Sequence, residues 1–295
     1  MNKKISIVIP TVANRFKDLN NCLKSIYNST YTNIEVIVVN NTGDLNYPNK
    51  ILQKFPQIKI IEMTKNMAIY GLNLGFANST GDYMLGIDDD CTLRKDTLIN
   101  AIKVFEKLPS DVMILTAYVY HPILKIYIDE NNKNQTNRLS FSDGASFYRK
   151  DFFYRVGFFD EDFFCWQHSD DLAIRTLKKG YRINFDKSVI INHHDKVNYK
   201  LRINRSFYDP RNSVYLIIKN FSLIFWPILI LRNFISIIRM PIRQRHILAL
   251  LMGLVGYTVG WLTFFIPLKK RSVPQISLQL KFLKYYLSNK HPQNY

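Results

Sequence analysis

Short apolar runs alternate with amphipathic ones over the first two thirds of the chain. "ISIVIP" (5–10) is apolar but for one serine and ends on Pro10; in "FKDLNNCLKSIYN" (16–28), Leu19, Leu23 and Ile26 recur at helical spacing. "IEVIVVN" (34–40), a helical stretch near 48–55, "IKIIEM" (58–63), a helix near 69–79 and "DYMLGIDDD" (82–90) continue the alternation. Strands apolar on both faces and separated by helices predict an α/β fold with a parallel sheet covered on both sides. Ligands of such sheets lie beyond the carboxyl ends of the strands. Asn40, Asn41 and Asp88 to Asp90 stand at those ends.

After about residue 212 the pattern changes to long apolar runs, "FSLIFWPILIL" (221–231) and the uncharged "ILALLMGLVGYTVGWLTFFIP" (247–267). The net charge of +17 belongs mainly here: residues 201–295 hold 14 Lys and Arg against the single acid Asp209. Arg239, Arg243, Arg245 and His246 precede the second run, and Lys269, Lys270 and Arg271 follow it. Cations interleaved with apolar surface predict attachment to an anionic membrane face and argue against a nucleic-acid partner. Length alone would make 247–267 a membrane-crossing helix. Cations at both ends give it no orientation, and Gly253, Gly256 and Gly260 leave room for close helix packing. An interfacial helix pair is the leading expectation, with a membrane span and a buried core helix as alternatives. Cys22, Cys91 and Cys165 are scattered and odd in number, suggesting neither disulfides nor a zinc knuckle. The apolar run of "MNKKISIVIP" is too short for a secretory signal, so a cytoplasmic location is expected. "DENNKNQTN" (129–137) is expected to be a polar surface loop.

Three consecutive aspartates closing an apolar strand are costly unless something positive stabilises them. Hard carboxylate oxygens suit Mg²⁺ or Mn²⁺. Two alternatives compete with a metal. Acids ahead of "LRKDTLINAIKVFEK" could favour the N-terminus of a helix, although one cap needs only one acid. "DDDCT" also fits Asp88-x-Asp90-x-Thr92, the nucleophile motif of haloacid-dehalogenase-like phosphohydrolases, which normally closes the first strand.

The segments "VIP", "IEVIVVNNTGD", "KNMAIYGLNLGFANSTGDYMLGIDDD", "YRKDFFYRVGFFDEDFF", "DDLAIRTLKKGYRI" and "YDPRNSVYLIIKN", in this order, resemble family 2 glycosyltransferases. The likeness is strongest to the rhamnosyl- and galactofuranosyl-transferase-like branch that builds bacterial surface polysaccharides, and it covers about residues 4–220. It implies a GT-A fold, with a nucleotide-binding half-sheet followed by an acceptor-binding half. It also implies inverting transfer from a nucleotide-sugar donor (UDP- or dTDP-sugar) with Mn²⁺ or Mg²⁺; together with the basic, apolar C-terminal region this leads to the expectation of a lipid-linked glycan acceptor at the cytoplasmic face of the membrane. The expected division is a catalytic domain over 1–212 and a membrane-associating region over 213–295.

By the same resemblance Asp90 binds metal, Asp88 and Asp89 face the donor, and Pro10, Thr11 and Arg15 cradle the base. Asn40 stands where the family usually has an aspartate, so the base it would recognise is left open. Asn66, Gly71, Asn73 and Gly75 keep the family's asparagine-glycine pattern, with Ala68 where glycine is usual. His193 and His194 fall where some relatives contact metal or diphosphate. The family's catalytic base lies in a Glu-Asp-x-Asp-Leu segment, here His168-Ser169-Asp170-Asp171-Leu172. The direct match, Ser169, is a poor base, so the role shifts to Asp170, with Asp171 as the near alternative. A further alternative is that Ser169 caps a helix whose first turn holds both acids.

Overall fold

The computed structural model describes residues 3–12, 15–44, 46–128, 138–194, 203–243 and 245–288. They fall into two compact units, Met1–Phe159 with Lys179–Lys196, and Asp160–Lys178 with Val197–Tyr295.

The first unit follows the alternation in its sequence. β1 (Ile5–Thr11), α1 (Phe16–Tyr27), β2 (Ile34–Asn40), α2 (Tyr47–Leu52), β3 (Lys59–Glu62), α3 (Ile69–Ala77) and β4 (Tyr83–Ile87) come first. Then come β5 (Cys91–Leu93), α4 (Thr97–Lys107), β6 (Val112–His121), β7 (Ile126–Tyr127), β8 (Ala145–Arg149), α5 (Phe152–Val156) and β9 (Arg182–His193). The strand order is β3-β2-β1-β4-β8-β6-β9-β5, with β7 on β6. The core forms because β1 buries Ile5, Ile7 and Ile9 in one cluster with Leu19, Leu23 and Ile26 of α1. Each such side chain contributes roughly 1.5–3 kcal/mol when fully buried.

The parallel arrangement holds for β3, β2, β1 and β4. Beyond them the sheet is mixed. β8 runs antiparallel to both β4 and β6, β6 runs parallel to β9, and β5 runs antiparallel to β9. Among the described residues no helix separates β6, β7 and β8, and strands joined without a crossover helix pair antiparallel. A second departure concerns the aspartates. The helix after them starts only at Thr97, because β5 intervenes, so they do not cap it.

The second unit is helical: α6 (His168–Lys178), α7 (Ile203–Asn220), α8 (Trp226–Arg243), α9 (Ile247–Leu262), α10 (Phe265–Lys269) and α11 (Ile276–Leu287). α7 runs without a break through the expected boundary at 212/213, and residues 160–178 belong with the C-terminal helices. The apolar run 247–267 is likewise divided, into α9 and the start of α10. No described helix is long and apolar enough to cross a membrane. The glycines of α9 instead admit α7. A Cβ built at Gly256 would lie 2.0 Å from the Phe207 carbonyl oxygen, and Gly253 and Gly260 are buried on the same helix. The expected polar loop 129–137 lies outside the described residues.

Candidate active site

β1 and β4 are parallel neighbours, so the segments leaving their carboxyl ends open on one edge of the sheet. There Thr11 Oγ1 donates to Asp89 Oδ2 at 2.8 Å. Arg15 forks its guanidinium, Nη1 to Asp89 Oδ1 at 2.6 Å and Nη2 to Asp90 Oδ2 at 2.8 Å. Asp88 packs against Gly144, where a Cβ would come within 2.2 Å of its Oδ2, so this approach requires glycine. A cleft of about 240 Å³ opens beside this edge, lined by Pro10, Arg15, Asn66, Asp88, Asp89 and Asp143 among others.

The three carboxyls are set to different levels. Burial, then the carboxylates of Asp143 and Asp90, pushes Asp88 up to about 7. Burial also raises Asp89, to about 6, although Arg15 and Thr11 pull the other way. For Asp90 burial is outweighed by His193 and Arg15, which hold it at about 2. Asp90 is thus the carboxyl most firmly held ionised, the state a cation ligand requires.

His193 comes from 103 residues further along and reaches this edge through sheet register: β5 and β9 pair antiparallel with Cys91 opposite His193. Its Nε2 stands 3.3 Å from Asp90 Oδ1. That oxygen is buried and lies outside the Arg15 fork; apart from the long His193 contact it accepts no hydrogen bond of good geometry among the described residues, so an ion could share it with the ring. Asp90, Cys91 and His193 offer ligand atoms within 4.8 Å of one another. Oxygen and imidazole nitrogen suit Mn²⁺ or Mg²⁺, whereas the Cys91 thiol, pushed far up by burial, does not. The donor set therefore fits a divalent cation held by Asp90 and His193. His194 is a correction: its Nε2 is 2.8 Å from Thr92 Oγ1, and it stands outside this group. Successive residues of an extended segment point to opposite faces, so the His193 ring lies against the Asp90 carboxylate while His194 meets Asp90 through its backbone N–H, which donates to the Asp90 carbonyl at 2.9 Å.

The asparagines divide in the same way. Asn66 is exposed at the cleft, its Oδ1 accepting from the Ala68 N–H at 2.9 Å. Ala68 takes φ +43°, a conformation natural to glycine, which accounts for glycine being usual there. Asn40 accepts from Thr42 N–H at 3.1 Å and donates to the Asp44 carbonyl at 3.3 Å, shaping the loop after β2. Asn73 is a second correction. Both ends of its amide pair with the backbone of Phe159, at 2.9 and 3.2 Å, so this buried side chain braces the fold and does not line the cleft. Asp143 joins the site unexpectedly; its "SDG" context carries only a turn signal.

In the second unit, Asp170 and Asp171 lie buried in the first turn of α6. The helix begins at His168, so Ser169 is inside it and is not its cap. Asp171 is fully enclosed, at 0% exposure, and receives Arg175 Nε at 2.8 Å, Lys219 Nζ at 2.8 Å and Asn220 Nδ2 at 3.0 Å. Burial would raise its carboxyl, but Arg175 and Lys219 hold it below the ordinary range. Lys219 also binds Asp160, at 2.6 Å, which links the 160–178 segment to α7. A carboxylate so occupied is a poor proton acceptor, which counts against Asp171 as the base; Asp170 is buried beside it, at 3% exposure.

The family model described as "Glycosyl transferase family 2" matches residues 6–164, more than half of the chain. The chain belongs to glycosyltransferase family 2. Thr92, bonded to His194 and following the fourth strand, is then no part of a phosphohydrolase motif. The glycosyltransferase is 28% identical over 125 residues to "Glycosyltransferase GlyA" of Streptococcus pneumoniae, covering 41% of this chain and 18% of that protein. It is also 28% identical over 118 residues to an uncharacterized glycosyltransferase of Haemophilus influenzae, covering 40% and 38%. The matches thus span less than half the length of these relatives. Among solved structures, the mannosyltransferase PcManGT from Pyrobaculum calidifontis, in complex with GDP-Man and Mn²⁺, aligns with a TM-score of 0.62 at 18% identity, over 99% of this chain and 84% of that one. S. aureus TarS aligns with a TM-score of 0.58 at 15% identity, over 75% and 40%. These likenesses agree with the mixed sheet in identifying a GT-A fold.

Proposed function

We propose that this glycosyltransferase carries out inverting, metal-dependent transfer of a sugar from a nucleotide-sugar donor to a lipid-linked glycan at the cytoplasmic face of a bacterial membrane, in surface polysaccharide synthesis. The observation that carries the metal and donor part is the buried Oδ1 of Asp90 beside His193 at the carboxyl edge of the sheet. The Mn²⁺ and GDP-Man of the mannosyltransferase complex support the same class of chemistry. Asp90 and His193 would hold Mn²⁺ or Mg²⁺, which when bound supplies a Lewis acid for the departing diphosphate. Pro10 and Asn66, which line the cleft, would contact the nucleoside, and Asn40 would act through the loop it shapes, with a UDP- or dTDP-sugar as the expected donor. Asp88, enclosed and readily protonated, is placed to hydrogen-bond a sugar or ribose hydroxyl. Asp170 takes the proton from the acceptor hydroxyl as the sugar becomes oxocarbenium-like.

The membrane part rests on the helical unit. Ile224 at 77% exposure and Leu231 at 59% join Phe234, Ile235, Ile247 and Leu251 as exposed apolar side chains, with Arg239 and Arg245 nearby in sequence. Apolar insertion supplemented by about 1 kcal/mol for each cation near an anionic surface would hold the enzyme beside an acceptor whose growing end stays near the bilayer. The test of the metal assignment is Asp90→Ala. Mn²⁺-dependent donor binding should be lost from this variant and from wild type in chelator. Undiminished donor affinity in either would refute it.

A further inference from the structure

Arg15 stands where the resemblance leads one to expect a nucleotide contact, yet its guanidinium is spent on the aspartates. It takes Asp89 Oδ1 at 2.6 Å and Asp90 Oδ2 at 2.8 Å while remaining 30% exposed along the cleft. The other oxygen of Asp90, Oδ1, faces the His193 ring at 3.3 Å and accepts no further hydrogen bond among the described residues, so it is the oxygen a cation would share with His193. A divalent ion on Oδ1 and a guanidinium on Oδ2 would place two cations on one carboxylate, where they repel. Until more negative charge arrives, Arg15 already neutralises much of what would attract the ion. A diphosphate supplies that charge, and its oxygens suit a guanidinium fork.

We propose that Arg15 is an internal counter-cation that closes the Asp89–Asp90 pair to a free divalent ion and moves onto the donor's diphosphate when it binds, so that metal and nucleotide enter together. This rests on the metal-dependent donor binding proposed above and adds an order to it. The coupling is reciprocal: the nucleotide must strengthen metal binding by the factor by which metal strengthens the nucleotide's. Removing the guanidinium has opposite effects on the two ligands. It opens the carboxylates to free metal and takes a partner from the diphosphate.

The experiment measures Mn²⁺ binding by electron paramagnetic resonance, alone and with saturating UDP, dTDP or GDP, on the full chain of wild type, Arg15→Gln and Arg15→Lys. Wild type should bind Mn²⁺ alone weakly and at least about tenfold more tightly with one of the three diphosphates. Arg15→Gln should bind Mn²⁺ alone at least about tenfold more tightly than wild type, on the scale of one displaced charge-assisted contact, and lose most of the gain from nucleotide. Arg15→Lys, which keeps the charge without the fork, should fall between the two and decides the matter should Arg15→Gln fail to fold. Unchanged or weaker binding of Mn²⁺ alone in the variants would overturn the proposal, since a purely structural arginine predicts weakening and a purely nucleotide-binding one predicts no change. Wild-type Mn²⁺ binding that no diphosphate improves would overturn it as well. If neither wild type nor variants bind Mn²⁺ under any of these conditions, the metal assignment itself fails, and this inference with it.

Discussion

Asp170 and Asp171 are adjacent and both buried, and the ion pairs of Asp171 with Arg175 and Lys219 give its substitution a signature of its own. Asp171→Asn weakens the attachment of Arg175 and Lys219 and should cost on the order of 3–5 kcal/mol of stability, read by urea or thermal unfolding. Asp170→Asn should keep donor binding and lose transfer, since the amide keeps the shape but not the basic oxygen. Equal transfer by Asp170→Asn and wild type would remove Asp170 from the mechanism. Asp88 gives a pH signature. Its folded value of about 7 lies above the ordinary 3.8, so between these values the folded state holds a proton that the unfolded state has released. Its contribution to stability therefore falls as pH rises from about 4 to 7. In chelator, Asp88→Asn should gain stability relative to wild type as pH is raised through that window. A constant difference in melting temperature from pH 4 to 8 would count against the raised value. At this scale the need of the three aspartates for a positive partner was legible, because adjacent like charges at a strand end repel unless a cation offsets them, and Arg15 does pair with two of them. That the His193 ring faces the Asp90 carboxylate while the His194 ring faces Thr92 was not legible, since it depends on the register of β9 against β5. Nor was the bracing role of Asn73, which depends on where Phe159 returns.

Helices and strands with strong periodicity were readable, and the short ones were not. α1 and the first four strands of the parallel half-sheet follow directly from the hydrophobic pattern. The three-residue β5 is too short to show a period, and only its pairing with β9 makes it a strand. Gly253, Gly256 and Gly260 correctly indicated close helix packing, because three glycines in a 16-residue helix have no local advantage there. Their partner α7 could not be named from sequence. Gly256→Val would drive a side chain into the Phe207 backbone, which cannot move aside as a flexible side chain could. We expect a loss of about 1–3 kcal/mol or more. A variant as stable as wild type in urea would contradict the packing of α9 on α7.

Charge and apolar exposure act together over the whole molecule. Two exposed residues of α8, Leu231 and Ile235, can be changed without disturbing the core. Leu231→Asp with Ile235→Asp should abolish cosedimentation with phosphatidylglycerol-containing vesicles in high salt, where screening leaves apolar insertion dominant. Wild type should remain bound under those conditions, and failure of wild type to bind any anionic vesicle would end the membrane assignment. The charge imbalance suggested this surface from sequence. The division of the chain was less legible, since α7 continues through 212/213 and residues 160–178 join helices that come much later. The most direct single measurement is release of nucleoside diphosphate from a panel of UDP-, dTDP- and GDP-sugars by the wild-type chain, with Mn²⁺ and with chelator. Turnover of at least one donor with Mn²⁺, abolished by chelator and by Asp90→Ala, is the predicted result. No release from any donor, or release indifferent to chelator and to Asp90, would contradict metal-dependent sugar transfer by this site.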